Sequence, residues 1–248
     1  MSMTQAFTPL MRELDRWQAA GRIADFWLRD DDATEPSPAL DRLLALCAGH
    51  GAPVTLAVIP APTGDALVQR LATAPLAEVA VHGWAHVNHA PPSEKKQELG
   101  GHRPASVVLA ELQQGFAKLQ GLHAARFAPL LVPPWNRIDR ALLPELGGLG
   151  FRALSVFGPE KGGAMLEINT HVDLIDWHGT RGGRPPEALV AEIVARLQEM
   201  ETAGGVMGFL THHLVHDEAA WAFCAALLSI TAGHPACRWR RVAEFTDR

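Results

Sequence analysis

The fold is decided by the stretch ADFWLRDDD at positions 24–32, where a run of apolar, strand-forming residues leads into three consecutive aspartates. A few residues later, Ser37 and Pro38 mark the start of a helix, and leucines recur at helical spacing over 38–49. A strand that ends in polar residues and is followed by a helix is the repeating unit of α/β proteins. The pattern predicts parallel strands joined by helical crossovers.

The same alternation recurs along all 248 residues. Strands are predicted at 24–29, 53–59, 77–82, 127–132, 151–157, 172–177 and 206–211. Helices are predicted at 5–19, 38–49, 64–74, 105–121, 138–148, 186–201 and 217–230. About seven strands favour a barrel, although a doubly wound sheet stays open as an alternative. Because neither an internal repeat nor an obvious linker interrupts the pattern, we expect one domain over 1–248.

The composition excludes several classes of protein. With 48% hydrophobic residues, 20% charged residues and a net charge of −5, the chain is expected to fold around a core, and no basic, aromatic-rich stretch predicts a nucleic-acid partner. Three scattered cysteines predict reduced thiols. No apolar run approaches the roughly 18 residues that span a membrane, and the N-terminal residues do not resemble a signal peptide. We therefore expect a cytoplasmic protein without a membrane partner; the sequence predicts no oligomeric state.

Carboxylate, imidazole and indole groups follow the predicted strands. In a parallel α/β barrel the carboxyl ends of the strands meet at one rim, which carries the chemistry. The residues expected there are Asp30, Asp31, Asp32, His82, His86, Trp135, Asn136, Asp173, Asp176, Trp177, His212 and His213. The tryptophans next to polar residues predict platforms for sugar faces.

The three aspartates predict a bound cation. Two carboxylates about 4 Å apart repel by roughly 4 kcal/mol at an effective dielectric near 20, so Asp30, Asp31 and Asp32 need compensation. His82 and His86, four residues apart after a strand, can converge on one ion. Aspartate and histidine donors suit zinc or a similar ion. A histidine after the last predicted strand could act as general acid, but the sequence does not decide between the two at 212 and 213.

Taken in order, these motifs resemble those of the polysaccharide deacetylases, a superfamily of metal-dependent carbohydrate esterases (family 4) with a distorted seven-stranded (β/α) barrel. The resemblance spans roughly 24–215. Its Thr-Phe-Asp-Asp, His-Ser/Thr-x-x-His, Asp-x-x-Asp-Trp and Leu-x-His motifs are matched here by 29–32, 82–86, 173–177 and 210–212. The resemblance implies Asp31 as catalytic base, Asp32, His82 and His86 as metal ligands, and His212 as proton donor.

Two positions depart from the family pattern. Gly83 stands where the family has a hydroxyl residue, and the family's Arg-x-Pro motif is replaced by LVPPWNR at 131–137. Arg137 or Arg29 could supply the missing guanidinium, and both alternatives stay open. The departures indicate a divergent branch of the family.

The resemblance implies a metal-dependent hydrolase that removes an N-acetyl group from an amino sugar or related carbohydrate. A divalent ion, with zinc as first choice, would be its cofactor, and its partner would be a small-molecule or oligosaccharide substrate. Trp135, Asn136, Asp176 and Trp177 are the expected substrate contacts. Two alternatives remain: a metal-dependent amidohydrolase acting on a non-sugar C–N bond, and a non-catalytic glycan-binding relative.

Overall fold

The computed structural model describes residues 3–163 and 165–246. Its strands are β1 (Ala24–Ala33), β2 (Val54–Val58), β3 (Ala77–His82), β4 (Phe127–Val132), β5 (Ala153–Leu154), β6 (Leu166–Glu167), β7 (Val172–Asp173), β8 (Met207–Thr211) and β9 (Cys237–Trp239). Its α-helices are α1 (Met3–Ala6), α2 (Thr8–Ala19), α3 (Pro38–His50), α4 (Asp65–Leu71), α5 (Ala105–His123), α6 (Leu143–Leu146), α7 (Pro186–Ala203), α8 (Glu218–Ala232) and α9 (Ala243–Thr246). Short 3-10 helices lie at Ala124–Arg126, Pro134–Asn136, Arg140–Leu142, Gly147–Leu149 and His213–Val215.

The chain forms two compact units. The first unit consists of the described residues of Met1–Asp30, Ser37–Val54 and Thr170–Arg241. The second unit consists of those of Asp31–Pro36, Thr55–Asn169 and Val242–Arg248. That the whole of 1–248 is one domain stays a prediction.

In the first unit, the strands lie in the order β9, β1, β8, β7, and every pairing is parallel. Phe26 is opposite Met207, and Asp30 is opposite Thr211. Helix α3 packs on α8, and α2 packs on α7. Ser37 caps α3 as predicted, since its hydroxyl accepts a hydrogen bond from the Leu40 N–H at 3.0 Å.

In the second unit, β2 to β6 follow one another in spatial order beside the end of β1. Strands β3, β4, β5 and β6 pair in parallel, with His82 opposite Val132. Helix α5 packs on β3 and β4. Because parallel strands end at the same edge, this register places the residues that follow β3 and β4 side by side.

The predicted α/β fold with parallel strands is confirmed. The strands predicted at 77–82 and 127–132 have those bounds. Strand β1 extends beyond 29 to Ala33: Asp30 still pairs with Thr211, and the Ala33 carbonyl accepts a hydrogen bond from the Ile59 N–H at 3.0 Å. The described residues contain nine strands rather than about seven, since β6 and β9 are too short to show a sequence pattern. Among the described helices, none combines the length and the apolar character needed to cross a bilayer.

Several predicted bounds were wrong. Only Ala153–Leu154 of 151–157 is strand, because its neighbour β6 is two residues long. The strand predicted at 172–177 ends at Asp173, whose carboxylate accepts a hydrogen bond from the Ile175 N–H and turns the chain. The helix predicted at 138–148 is divided into a short α-helix between two 3-10 helices, in a segment that contains Pro144 and two glycines.

A buried ion pair joins β1 to the segment after β8. The Asp30 carboxylate contacts the ring Nδ1 of His213 and accepts hydrogen bonds from the Thr211 hydroxyl at 2.7 Å and the His213 N–H at 2.9 Å. Asp30 and His213 are 0% and 2% exposed. Burial alone would raise the pKa of Asp30. The charge of His213 and the hydrogen bonds from His213 and Thr211 outweigh burial and hold that pKa below its ordinary value.

We predict that Asp30→Asn lowers the free energy of unfolding at pH 7 by about 3–5 kcal/mol, because it removes one charge of a buried pair. Urea denaturation measures the effect. Asp15→Asn is the control, since Asp15 forms an exposed pair with His234 and should cost less than about 1 kcal/mol.

The pH dependence provides a second check. Because the folded-state pKa of Asp30 is lowered, its stabilisation is present above the unfolded-state pKa of about 3.9 and is lost as the pH falls through the folded-state value. Equal stability of Asp30→Asn and the natural protein at pH 7 would contradict the assignment.

Candidate metal centre

Three side chains of the second unit converge on one point. Asp32 Oδ1 lies 3.2 Å from His82 Nε2 and 3.4 Å from His86 Nε2. One ligand atom from each of these residues lies within 4.8 Å of the other two. Within the described residues, these three form the one group of His, Cys, Asp or Glu side chains that lie close enough together to hold a metal ion. The structure thus brings together the three predicted ligands.

The donor set fits a divalent ion. Tetrahedral zinc has ligand bonds of about 2.0–2.2 Å, which separate two ligand atoms by roughly 3.3 Å, close to the two distances observed here. His82 ends β3 and is buried, and its Nδ1 lies 2.9 Å from the Val132 carbonyl. With an ion bound and the ring proton on Nδ1, Nε2 would offer its lone pair to the ion, which is the usual arrangement of a metal-binding histidine.

The two histidines differ electrostatically. Burial alone would lower the pKa of His82, but its hydrogen bond with Asp32 and the charges of Asp31 and Asp32 raise it above the ordinary value. Burial and the neighbouring His82 hold the pKa of His86 below its ordinary value. His86 is therefore neutral near pH 7 and offers a lone pair, while the Asp32 carboxylate favours a cation beside His82.

Left-handed backbone conformations are concentrated around these ligands. Six non-glycine residues of the described chain have positive φ, and four of them are Asp32 (72°), His86 (57°), Trp135 (55°) and Asn136 (56°). Such conformations cost roughly 1–2 kcal/mol per residue and persist only where the surroundings enforce them. Their occurrence at the ligands is typical of a functional site.

Trp135 lies against His86, one of the predicted metal ligands. Its ring centroid is 4.3 Å from that of His86, and Lys96 Nζ lies 5.9 Å from the indole centroid. Asn136 follows in the same 3-10 turn, and both side chains are half-buried. The Arg137 guanidinium donates a hydrogen bond to the Lys96 carbonyl at 2.9 Å, which ties the residue after this turn to the backbone at Lys96.

Asp31 and Arg29 lie near the end of β1. Asp31 belongs to the second unit and is 2% exposed, whereas Arg29 belongs to the first unit and is fully buried. The role of Asp31 as base stays a prediction. So does the replacement of the family's third-motif arginine by Arg29 or Arg137.

In the first unit, the two adjacent histidines have different surroundings. His213 is buried against Asp30, as described above, whereas His212 is half-exposed and its ring lies 4.7 Å from that of Trp177 in an edge-on contact. The Trp177 Nε1–H donates a hydrogen bond to Asp173 at 2.9 Å. Of the two histidines, His212 is therefore the one that keeps solvent exposure.

The carboxylate of Asp176 accepts hydrogen bonds from the backbone N–H groups of Gly179 and Thr180 at 3.0 and 3.2 Å. These bonds close the loop that follows β7. Substrate contact by Asp176 and Trp177 stays a prediction.

Sequence reasoning missed Glu98, which is 1% exposed and whose carboxylate accepts hydrogen bonds from backbone N–H groups of the loop between His82 and His86 and from the Val87 N–H. No local sequence signal marks it, because its partners are backbone N–H groups.

No protein-family model matches the sequence, and no curated protein matches it. Solved structures do resemble it. A protein from Mycobacterium smegmatis that is provisionally described as a polysaccharide deacetylase has a TM-score of 0.69 and 16% identity, over 92% of this chain and 90% of that one.

Two further solved structures are similar. A family 4 carbohydrate esterase from Streptomyces lividans, solved with acetate, has a TM-score of 0.60 and 16% identity over 90% of this chain and 95% of its own. A polysaccharide deacetylase from Bacillus cereus has a TM-score of 0.55 and 18% identity over 91% and 94%. The chain therefore has the fold of the polysaccharide deacetylases and family 4 carbohydrate esterases.

Proposed function

We propose that the protein is a metal-dependent hydrolase that removes an N-acetyl group from an amino sugar or a related carbohydrate. The observation that carries the proposal is the convergence of Asp32 with His82 and His86 at 3.2 and 3.4 Å. The shared fold supports it, since the similar structures include proteins described as deacetylases and esterases, one of them with acetate. Acetate is the product that such a reaction releases.

Asp32, His82 and His86 would hold a divalent ion, with zinc as the first ion to test. Three protein ligands leave the open positions that catalytic rather than structural sites keep. When bound, the ion would polarise the acyl carbonyl and lower the pKa of the attacking water. Asp32 supplies the negative charge of the site, while the two histidines bind as neutral rings.

The proton transfers are assigned to Asp31 and His212. As the water oxygen forms its bond to the acyl carbon, Asp31 accepts the proton that the water loses. The C–N bond then breaks, and His212 donates a proton to the departing amine nitrogen. The immediate products are acetic acid and the free amine; acetic acid then loses its proton and the amine takes one up. Asp31 releases its proton and His212 regains one from solvent, so atoms and charges balance over the cycle.

Trp135 and Trp177 are proposed as substrate platforms. An indole face packs well against the apolar face of a sugar ring, and both rings already contact a histidine of the proposed machinery. Trp135 is held at positive φ, which fixes its position beside His86.

We predict that the purified protein binds about one divalent ion per chain and that His82→Ala and His86→Ala each abolish this binding. Elemental analysis after dialysis against buffered zinc measures occupancy. His50→Ala is the control, because His50 lies in the last turn of α3 in the first unit and should leave occupancy unchanged. Full occupancy in His82→Ala would refute the ligand assignment.

We predict that Asp31→Asn and His212→Ala each lower kcat/KM by about 10²–10⁴-fold, as expected for loss of a general base or acid. Both variants should retain the metal, because neither residue is a proposed ligand. Acetate release from N-acetylated oligosaccharides measures the rate, and Asp65→Asn, an exposed change in α4, is the control.

A panel of substrates tests the class of bond. N-acetylated sugars, sugar acetate esters and small non-sugar amides should be compared under the same metal loading. Turnover confined to non-sugar amides would favour the amidohydrolase alternative. Glycan binding without turnover, and unchanged by Asp31→Asn, would favour the non-catalytic one.

A further inference from the structure

Glu98 is a buried carboxylate whose partners are backbone amides. Its Oε1 accepts hydrogen bonds from the N–H groups of Ala85 at 2.8 Å and Val87 at 3.4 Å, and its Oε2 accepts one from Trp84 at 3.1 Å. The residue is 1% exposed. Successive N–H groups that point at one anion form a concave binding site for it. The carboxylate thus orders the loop that carries His86.

The Glu98 carboxylate lies where a side chain at position 83 would have to start. A Cβ atom at position 83 would lie 2.1 Å from Glu98 Oε2 and 2.6 Å from Pro134 Cγ, and the glycine has φ of 60°. A side chain is therefore excluded by both space and backbone conformation. Gly83 and Glu98 depend on each other, because the carboxylate occupies the room next to Gly83 that a serine or threonine side chain would need.

Glu98 is itself fixed to the segment that follows Trp135. The Leu99 carbonyl accepts a hydrogen bond from the Asp139 N–H at 2.8 Å, and Leu99 forms a parallel bridge with Ile138. The Glu98 carbonyl accepts a hydrogen bond from Arg103 at 3.3 Å. The backbone at 98–99 is therefore held at two points, and the carboxylate transmits this rigidity to the 84–87 loop.

We propose that Glu98 is a positioning residue for the metal centre: it fixes the 83–87 loop so that His86 Nε2 faces Asp32, and the absence of a side chain at Gly83 leaves room for its carboxylate. This inference rests on the proposed function, since it assigns Glu98 a role at the same metal centre. The carboxylate also adds a negative charge close to the ligands, which favours a cation there.

The first test measures metal affinity in the full chain. We expect Glu98→Gln to weaken binding of Zn²⁺ and Co²⁺ by about 10–100-fold, because a carboxamide keeps the size of the side chain but loses its charge and one acceptor oxygen. Competition with a chromogenic chelator gives the dissociation constants. Glu94→Gln is the matched control, since it removes the same charge from an exposed position four residues earlier, and it should change affinity less than 3-fold.

The spectrum of bound Co²⁺ separates positioning from simple loss of stability. If Glu98 orients His86, the visible absorption of the Co²⁺ protein should change in Glu98→Gln and stay unchanged in Glu94→Gln. A folded Glu98→Gln variant with the natural affinity and the natural Co²⁺ spectrum would overturn the proposal.

A measurement on the natural protein covers the case in which Glu98→Gln does not fold. In the metal-free protein, the amide protons of Trp84, Ala85 and Val87 should exchange with solvent at least about 100-fold more slowly than in an unstructured peptide, because they donate to a buried acceptor. Exchange of these amide protons at the rate of an unstructured peptide would refute the role of Glu98 in ordering the loop. Failure of the natural protein to bind metal would instead refute the proposed function. The exchange rates would still show whether Glu98 orders the loop, because they are measured without metal.

Discussion

Three adjacent carboxylates at the end of β1 are the constraint on which the site depends. Asp30, Asp31 and Asp32 are consecutive, and carboxylates about 4 Å apart repel by roughly 4 kcal/mol at an effective dielectric near 20. Asp30 and Asp32 have different environments. Asp30 is buried against His213, whereas Asp32 adopts positive φ beside two imidazoles. The first carboxylate is paired with His213, and the third lies with the two imidazoles in the candidate metal centre.

The sequence predicts those elements whose ends are marked by side-chain chemistry. The serine cap and Pro38 gave the start of α3 correctly, and β-branched or apolar runs gave both ends of β3 and β4. Strands that exist only because they pair with a neighbouring strand, and that have no recognisable sequence pattern of their own, were missed. β6 and β9 have two and three residues, and only their pairing with β5 and β1 makes them strands.

The same distinction holds at the site. Asp32, His82 and His86 could be predicted because carboxylate and imidazole donors at strand ends carry their chemistry in the residue type. Glu98 could not, since it acts on backbone N–H groups, which every residue except proline has, and it lies in a loop 12 residues after His86. The positive φ of Trp135 is likewise a property of packing, which no local pattern predicts.

Strain and preorganisation are connected in this centre. His86, Trp135 and Asp32 are each held in a left-handed conformation that an isolated peptide would rarely adopt, so contacts around them must supply the energy. The buried carboxylate at 98, which accepts hydrogen bonds from the N–H groups on both sides of His86, is one such contact. The Val132 carbonyl separately orients His82. Ligands that are already fixed lose little conformational freedom when an ion binds, which increases affinity. The strain therefore accompanies the building of a candidate three-ligand site from the ends of β1 and β3 and one loop.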